Sequence, residues 1–136
     1  MSGVNSKTGW NIALWVGQVL LAGVYVMAGL MKVSQPIDAL VASGLTYASD
    51  YPELLTRFIG TMEILGAIGI ILPAATRILP GLTPLAAVGF SVIQVLAFGL
   101  HTMRGEYGVL PVNIVLLALS LFVVWGRLRK VPITPR

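Results

Sequence analysis

The chain has 136 residues, 57% apolar and only 10% charged, with a net charge of +4, a pI near 9.9 and a mean hydropathy of +0.90. A soluble domain carries about 25% charged residues, so this balance excludes a soluble globular protein and predicts an integral membrane one. The absence of cysteine excludes thiolate catalysis, disulfide exchange and thiolate metal sites.

Residues 1–9, with Lys7, read as a cytoplasmic N-terminal segment before a first span over about 10–32, uncharged until Lys32. About 20 helical residues cross the hydrocarbon core. The stretch is too long for a signal-peptide core and has no small-x-small cleavage site before Gln35-Pro36, which predicts a retained helix. Pro36 to Ser43 reads as a short amphipathic helix, with Ile37, Leu40 and Val41 on one face and Gly44 as its stop. Such a helix would lie over the bundle mouth; a surface loop with one helical turn is the open alternative. Asp50-Tyr-Pro-Glu53 has capping-box spacing, with Asp50 as N-cap, and opens a second span over 52–72 that Pro73 is expected to end. Pro80 and Pro84 keep the next connection non-helical until a third span over 84–102; a fourth follows over 107–126. Residues 127–136 form a basic cytoplasmic tail, with Val131 to Arg136 expected to be disordered. The fold class expected is all-α, an integral membrane four-helix bundle filling residues 10–126.

Four spans put both termini on one side. That side holds Lys7, Arg77, Arg127, Arg129, Lys130 and Arg136 and no acid. The other side holds Lys32, Arg57 and Arg104 with Asp38, Asp50, Glu53 and Glu106. The excess of Lys and Arg predicts that both termini are cytoplasmic. Trp10, Trp15 and Trp125 then anchor the inner interface, and Tyr47, Tyr51 and Tyr107 the outer one. The positive charge therefore belongs to a lipid surface, and no nucleic-acid partner is expected.

Glu63 stands inside the second span, and a carboxylate at that depth is a functional-site candidate by default. Polar residues elsewhere recur at heptad spacing, which drifts only about 20° per step and so keeps one helix face. They are Gln18, Tyr25 and Lys32 in the first span, Gln94 and His101 in the third, and Asn113 and Ser120 in the fourth. Small residues flank these stripes, as on helix faces that approach other helices. Helical rise places Lys32, Glu63, His101 and Asn113 in one half of the bundle, with Gln18, Gln94 and Ser120 deeper. A polar pocket opening toward the outer face or the outer leaflet is expected, lined also by Tyr25 and by Met31 or Met62. Glu63 and His101 are the candidate reactive groups; Tyr25, Lys32, Gln94 and Asn113 are the candidate binding residues. Structural roles stay open: Lys32 and Arg57 as snorkelling cations, the amides as interhelical glue, and Glu63 as an ion-pair partner. No metal site is expected, because Glu63, His101 and Asn113 offer too few strong ligands.

Several segments together resemble the DoxX-like family of small four-helix bacterial membrane proteins. They are Ala28-Gly-Leu-Met-Lys32, the block from Gly60-Thr-Met-Glu63 to Pro73, Leu100-His-Thr-Met-Arg-Gly-Glu106 and Pro111-Val-Asn113. The resemblance implies the bacterial inner membrane and, for some relatives, subunits of thiosulfate:quinone oxidoreductases or of complexes linked to oxidative stress. Three functions are then open. The pocket binds a quinone or another lipophilic small molecule, as an accessory subunit beside a redox partner protein; it is the site of an acid/base isomerase or cyclase; or its polar cluster only holds the bundle together. One histidine cannot supply bis-histidine haem ligation, so electrons would come from a partner. Small-residue faces also suit a homo-oligomer.

Overall fold

The structure is a computed structural model that describes residues 2–136, with side chains described from Lys7 onward. Five α-helices form: α1 (Ser2–Ser34), α2 (Ile37–Ala42), α3 (Glu53–Thr76), α4 (Leu82–Met103) and α5 (Leu110–Trp125). Short 3-10 turns, Thr46–Ser49 and Tyr107–Val109, lead into α3 and α5, and a π-helical turn, Gly126–Lys130, extends α5. Four segments are long and apolar enough to cross a membrane: Lys7–Ser34, Glu53–Thr76, Leu82–Met103 and Tyr107–Lys130. No strand occurs among the described residues. The expected all-α four-helix membrane bundle is what the chain forms.

The four long helices close a ring in which α1 packs on α3, α3 on α4, α4 on α5, and α5 back on α1. The usual burial pattern is partly inverted. Val19, Met27, Leu54, Phe58, Val95 and Val115 face outward, whereas Gln18, Thr56, Glu63, Gln94 and Ser120 are buried. Lipid is as apolar as leucine, so helix association rests on close packing and interhelical hydrogen bonds. The apolar part of the core lies toward the termini, around Leu21, Tyr25, Ala67, Ile70, Phe90 and Val123.

The backbones of α1 and α3 approach closely at two glycines. A Cβ on Gly29 would lie 2.7 Å from the Gly60 carbonyl oxygen, and one on Gly60 only 2.7 Å from Lys32 Cβ. Neither position has room for a side chain. The short helix α2 buries Leu40 and half-buries Ile37 and Val41, and Gly44 stops it at φ +112°, where glycine carries no Cβ penalty.

Three boundaries differ from those the residues suggest. Pro73 does not end α3, which runs on to Thr76 and closes at Arg77 with φ 60°. Pro73 deprives the Gly69 carbonyl of its helical N–H partner, and the Thr83 hydroxyl donates to that carbonyl at 3.3 Å instead. A neighbouring helix thereby satisfies the acceptor that the proline frees. Asp50 is not the N-cap of α3; that position is Pro52 and has no side-chain cap bond. The Asp50 carboxylate is taken by Arg104 Nη1 at 2.7 Å. The tail after Lys130 has no regular structure but is tethered. Arg77 Nε donates to the Thr134 carbonyl at 2.9 Å, and the Arg136 amide donates to the Arg77 carbonyl at 3.1 Å.

Thr83→Val should lower stability by about 1 kcal/mol in denaturant titrations in detergent. Pro73→Ala, added to that variant, should recover most of the loss by restoring an N–H for the Gly69 carbonyl. Equal losses with and without the proline would contradict the assignment.

Candidate functional site

The end of the bundle opposite the termini holds three polar assemblies, and the Gly29–Gly60 contact sets the first. With α1 and α3 antiparallel and touching, Lys32 stands level with Gly60. Its side chain runs into the bundle, where Nζ donates to Glu63 Oε1 at 2.7 Å. The two side chains are only 12% and 4% exposed, so Lys32 does not snorkel outward. Arg57 holds the end of α1 in place: its Nη1 donates to the carbonyls of Lys32 and Gln35 at 2.9 and 2.6 Å. Those carbonyls are among the acceptors that a helix end leaves unpaired, so Arg57 acts as a side-chain cap.

An amide chain ties three helices together one layer away. Asn113 Nδ2, on α5, donates to Gln94 Oε1 on α4 at 2.8 Å. Gln94 Nε2 donates to the Tyr25 hydroxyl on α1 at 2.6 Å. The Tyr25 ring stacks on Phe90 with centroids 3.8 Å apart. Asn113 Oδ1 is buried and has no partner.

The third assembly latches the loops at this end of the bundle. His101, in the last turn of α4, places Nδ1 2.8 Å from Glu106 Oε1, and the Thr46 hydroxyl donates to Glu106 Oε2. Arg104 Nε lies 3.4 Å from Glu106 Oε1, within ion-pair range but not aligned as a hydrogen bond. The Thr46 hydroxyl, then His101, and further Arg104 hold the Glu106 carboxyl down at about 2. The hydrogen bond that Arg104 donates to the Asp50 carboxylate raises the pKa of Arg104 further. Burial, followed by the charge of Glu63, pushes the Tyr47 hydroxyl up to about 12, so it remains a proton donor at neutral pH.

Between these assemblies lies a cavity of about 390 Å³. Lys32, Glu63, Gln94, His101 and Asn113 make its polar side; Leu55, Ile59, Ile93, Leu96 and Leu100 make its apolar wall. Ala97 and, from the segment after α2, Leu45, Tyr47 and Tyr51 complete the lining. Five of the six residues singled out in the sequence therefore share one cavity. Tyr25 does not line it: the tyrosine lies beneath, 1% exposed, and supports Gln94. Met31 and Met62 are also absent from the lining. Tyr47, read as an interfacial anchor, is instead buried in the cavity wall beside His101, with ring centroids 6.5 Å apart. Its proximity to Gly44, the stop of the helix expected over the mouth, was the available signal.

At the opposite end Arg127, assigned to the basic tail, is 3% exposed. Its Nε donates to Gln18 Oε1 at 2.7 Å and its Nη1 to Asn11 Oδ1 at 2.8 Å. Gln18 in turn donates to the Ile70 carbonyl at 2.8 Å. No group of three potential metal-ligating side chains occurs among the described residues.

The profile of the DoxX-like family matches residues 16–123, and the chain belongs to that family. No curated protein and no solved structure matches the chain.

Removing one member of a buried ion pair leaves an uncompensated charge, at a cost of about 3 kcal/mol. Glu63→Leu should therefore destabilise strongly in detergent melts, and Lys32→Met added to it should restore most of the loss; simple additivity would exclude the coupling. Glu106 titrates below an ordinary carboxylate, so the unfolded chain binds its proton first as pH falls. Its stabilising contribution is complete above the ordinary carboxylate pKa and declines as pH drops toward about 2. Glu106→Gln should reduce stability at neutral pH and flatten that acid-side decline.

Proposed function

We propose that this DoxX-like protein binds the headgroup of a quinone, or of a similarly built lipophilic molecule, in the cavity between α1, α3, α4 and α5. It would serve there as the accessory membrane subunit of a redox system. The observation that carries the reading is the union of an apolar wall with the Lys32–Glu63 pair and His101 in one cavity of about 390 Å³. That size and that combination of many apolar and few polar groups suit small-molecule sites. Reduction of a quinone to its quinol takes up two electrons and two protons. The Glu63 carboxyl and the His101 imidazole are groups that hold and pass protons, and Lys32 and Tyr47 offer hydrogen-bond donors to ring oxygens. A chain with one histidine and no cysteine supplies ligands for neither a bis-histidine haem nor an iron–sulfur cluster, so the electrons come from a partner protein.

A second reading rests on Glu63 itself. Lys32 holds Oε1, while Oε2 has no partner among the described residues, leaving an acceptor free to abstract a proton in an isomerase or cyclase reaction. Six basic residues on the side of the termini, against three on the other, support a bacterial inner-membrane orientation with both termini cytoplasmic.

The native chain has no cysteine, so single-cysteine labelling of intact cells can test orientation directly. Ser49→Cys should react with an impermeant maleimide, and Thr134→Cys only after permeabilisation; the opposite result reverses the topology. Mass spectrometry of small molecules retained by mildly purified protein tests the ligand. A quinone bound to the wild type and missing from folded Glu63→Gln is expected. Equal retention by both would leave Glu63 outside the binding interaction.

A further inference from the structure

The polar lining of the cavity is sealed from outside, and part of its apolar lining is not. Glu63, Gln94 and Asn113 are buried, and the Lys32 side chain nearly so. Tyr51, Leu55 and Leu96 line the same cavity yet are 41%, 40% and 67% exposed. Residues that reach both the cavity and the surface mark its opening, and these lie on α4 and at the start of α3. The other sides are closed. Over the mouth, Tyr47 and Ala48 are buried, and their segment is tied down by the Thr46–Glu106 hydrogen bond and the Asp50–Arg104 ion pair. On the α1 side the backbones meet at Gly29 and Gly60. Beneath lies the chain of Tyr25, Gln94 and Asn113.

The seam between α3 and α4 changes along its length. Toward the termini it is tight: Gly66 has no room for a Cβ against the Phe90 ring, a Cβ on Gly69 would lie 3.3 Å from Ala86 Cβ, and Thr83 donates to the Gly69 carbonyl. The antiparallel register of those contacts sets Met62 level with Ile93, Ile59 with Ala97, and Leu55 with Leu100. Among the described residues the Thr83 bond is the only side-chain hydrogen bond between the two helices, and none joins them at the level of the cavity. Apolar contact alone closes the seam there, and in a bilayer such contact is exchanged for lipid contact at little cost. Leu96 lies seven residues inside the Met103 end of α4, about 10 Å along the helix, so this part of the seam faces hydrocarbon.

Resting on the quinone reading, we infer that the cavity is loaded sideways from the bilayer, through the seam between α3 and α4 at Leu55, Ile59 and Leu96. Its ligand is then an amphiphile with an alkyl or isoprenoid tail. The head lies against Lys32, Glu63 and His101, and the tail fills the seam and continues into lipid. A compact hydrophobic molecule would leave the seam empty.

The test uses the purified full chain in lipid nanodiscs and a decyl-tailed benzoquinone that carries a photoactivatable diazirine on its tail, close to the ring. Label on Leu55, Met62 and Leu96, suppressed by excess unlabelled decyl quinone, is the expected result. Suppressible label on Leu45, Tyr47 and Ala48 instead would run the tail through the mouth and overturn the inference, while leaving the quinone site standing. Absence of any suppressible label would overturn the quinone reading as well. Uptake rates of the same quinone give an independent answer. Leu96→Trp, which adds bulk at the rim of the seam, should slow uptake about tenfold. Thr46→Val, which unlatches the segment over the mouth, should leave the rate unchanged. A rate raised by Thr46→Val and unaffected by Leu96→Trp would overturn lateral entry. If either variant fails to fold, the labelling of the wild type still decides.

Discussion

A carboxylate inside a bilayer has to be met by protein, because lipid offers it neither charge nor hydrogen bonds. Here Glu63 is met by Lys32, and much of the geometry at this end of the bundle follows from bringing those two groups together. Their helices touch backbone to backbone at Gly29 and Gly60, which lets a lysine at the end of one helix reach a glutamate a turn down the other. Arg57 fixes the last carbonyls of α1, so Lys32 is held at its root as well as at its tip. A buried pair of this kind is weak evidence for stability, since desolvation offsets most of the attraction.

The three polar assemblies divide the work by depth. Outside the hydrocarbon, Glu106 gathers His101, Thr46 and Arg104 and draws the segment after α2 onto α4. At the depth of Glu63 the charged pair forms one side of the cavity. Beneath it, Asn113, Gln94 and Tyr25 lock α5, α4 and α1 in register above the apolar core. The cavity exists because α3 and α4 contribute Leu55, Ile59, Leu96 and Leu100 at its level, whereas Phe90 fills the space against Tyr25 below.

Span number, helical class and the inward polar stripes were legible because heptad spacing leaves little choice of face. Glu63, Lys32, Gln94, His101 and Asn113 could be grouped by rise per residue alone. What could not be read depends on which neighbour supplies a missing partner. The helix continues through Pro73 because Thr83, on another helix, meets the freed carbonyl. Asp50 leaves its expected cap because Arg104 is nearer to its carboxylate. Tyr47 and Arg127 resemble interface residues in composition, and only the loop path over the mouth and the Gln18–Asn11 acceptors bring them inside. Such long-range substitutions carry no local periodicity.

On the proposed function, the cavity beside Glu63 receives the head of a lipophilic ligand. Photolabelling with an azido-quinone, followed by peptide mapping, tests it most directly. Label concentrated on Tyr51, Leu55, Ile59, Leu96 and Leu100, and suppressed by excess unlabelled quinone, is the predicted result. Label confined to lipid-facing residues such as Met27, Phe58 and Val115, and insensitive to competitor, would contradict it.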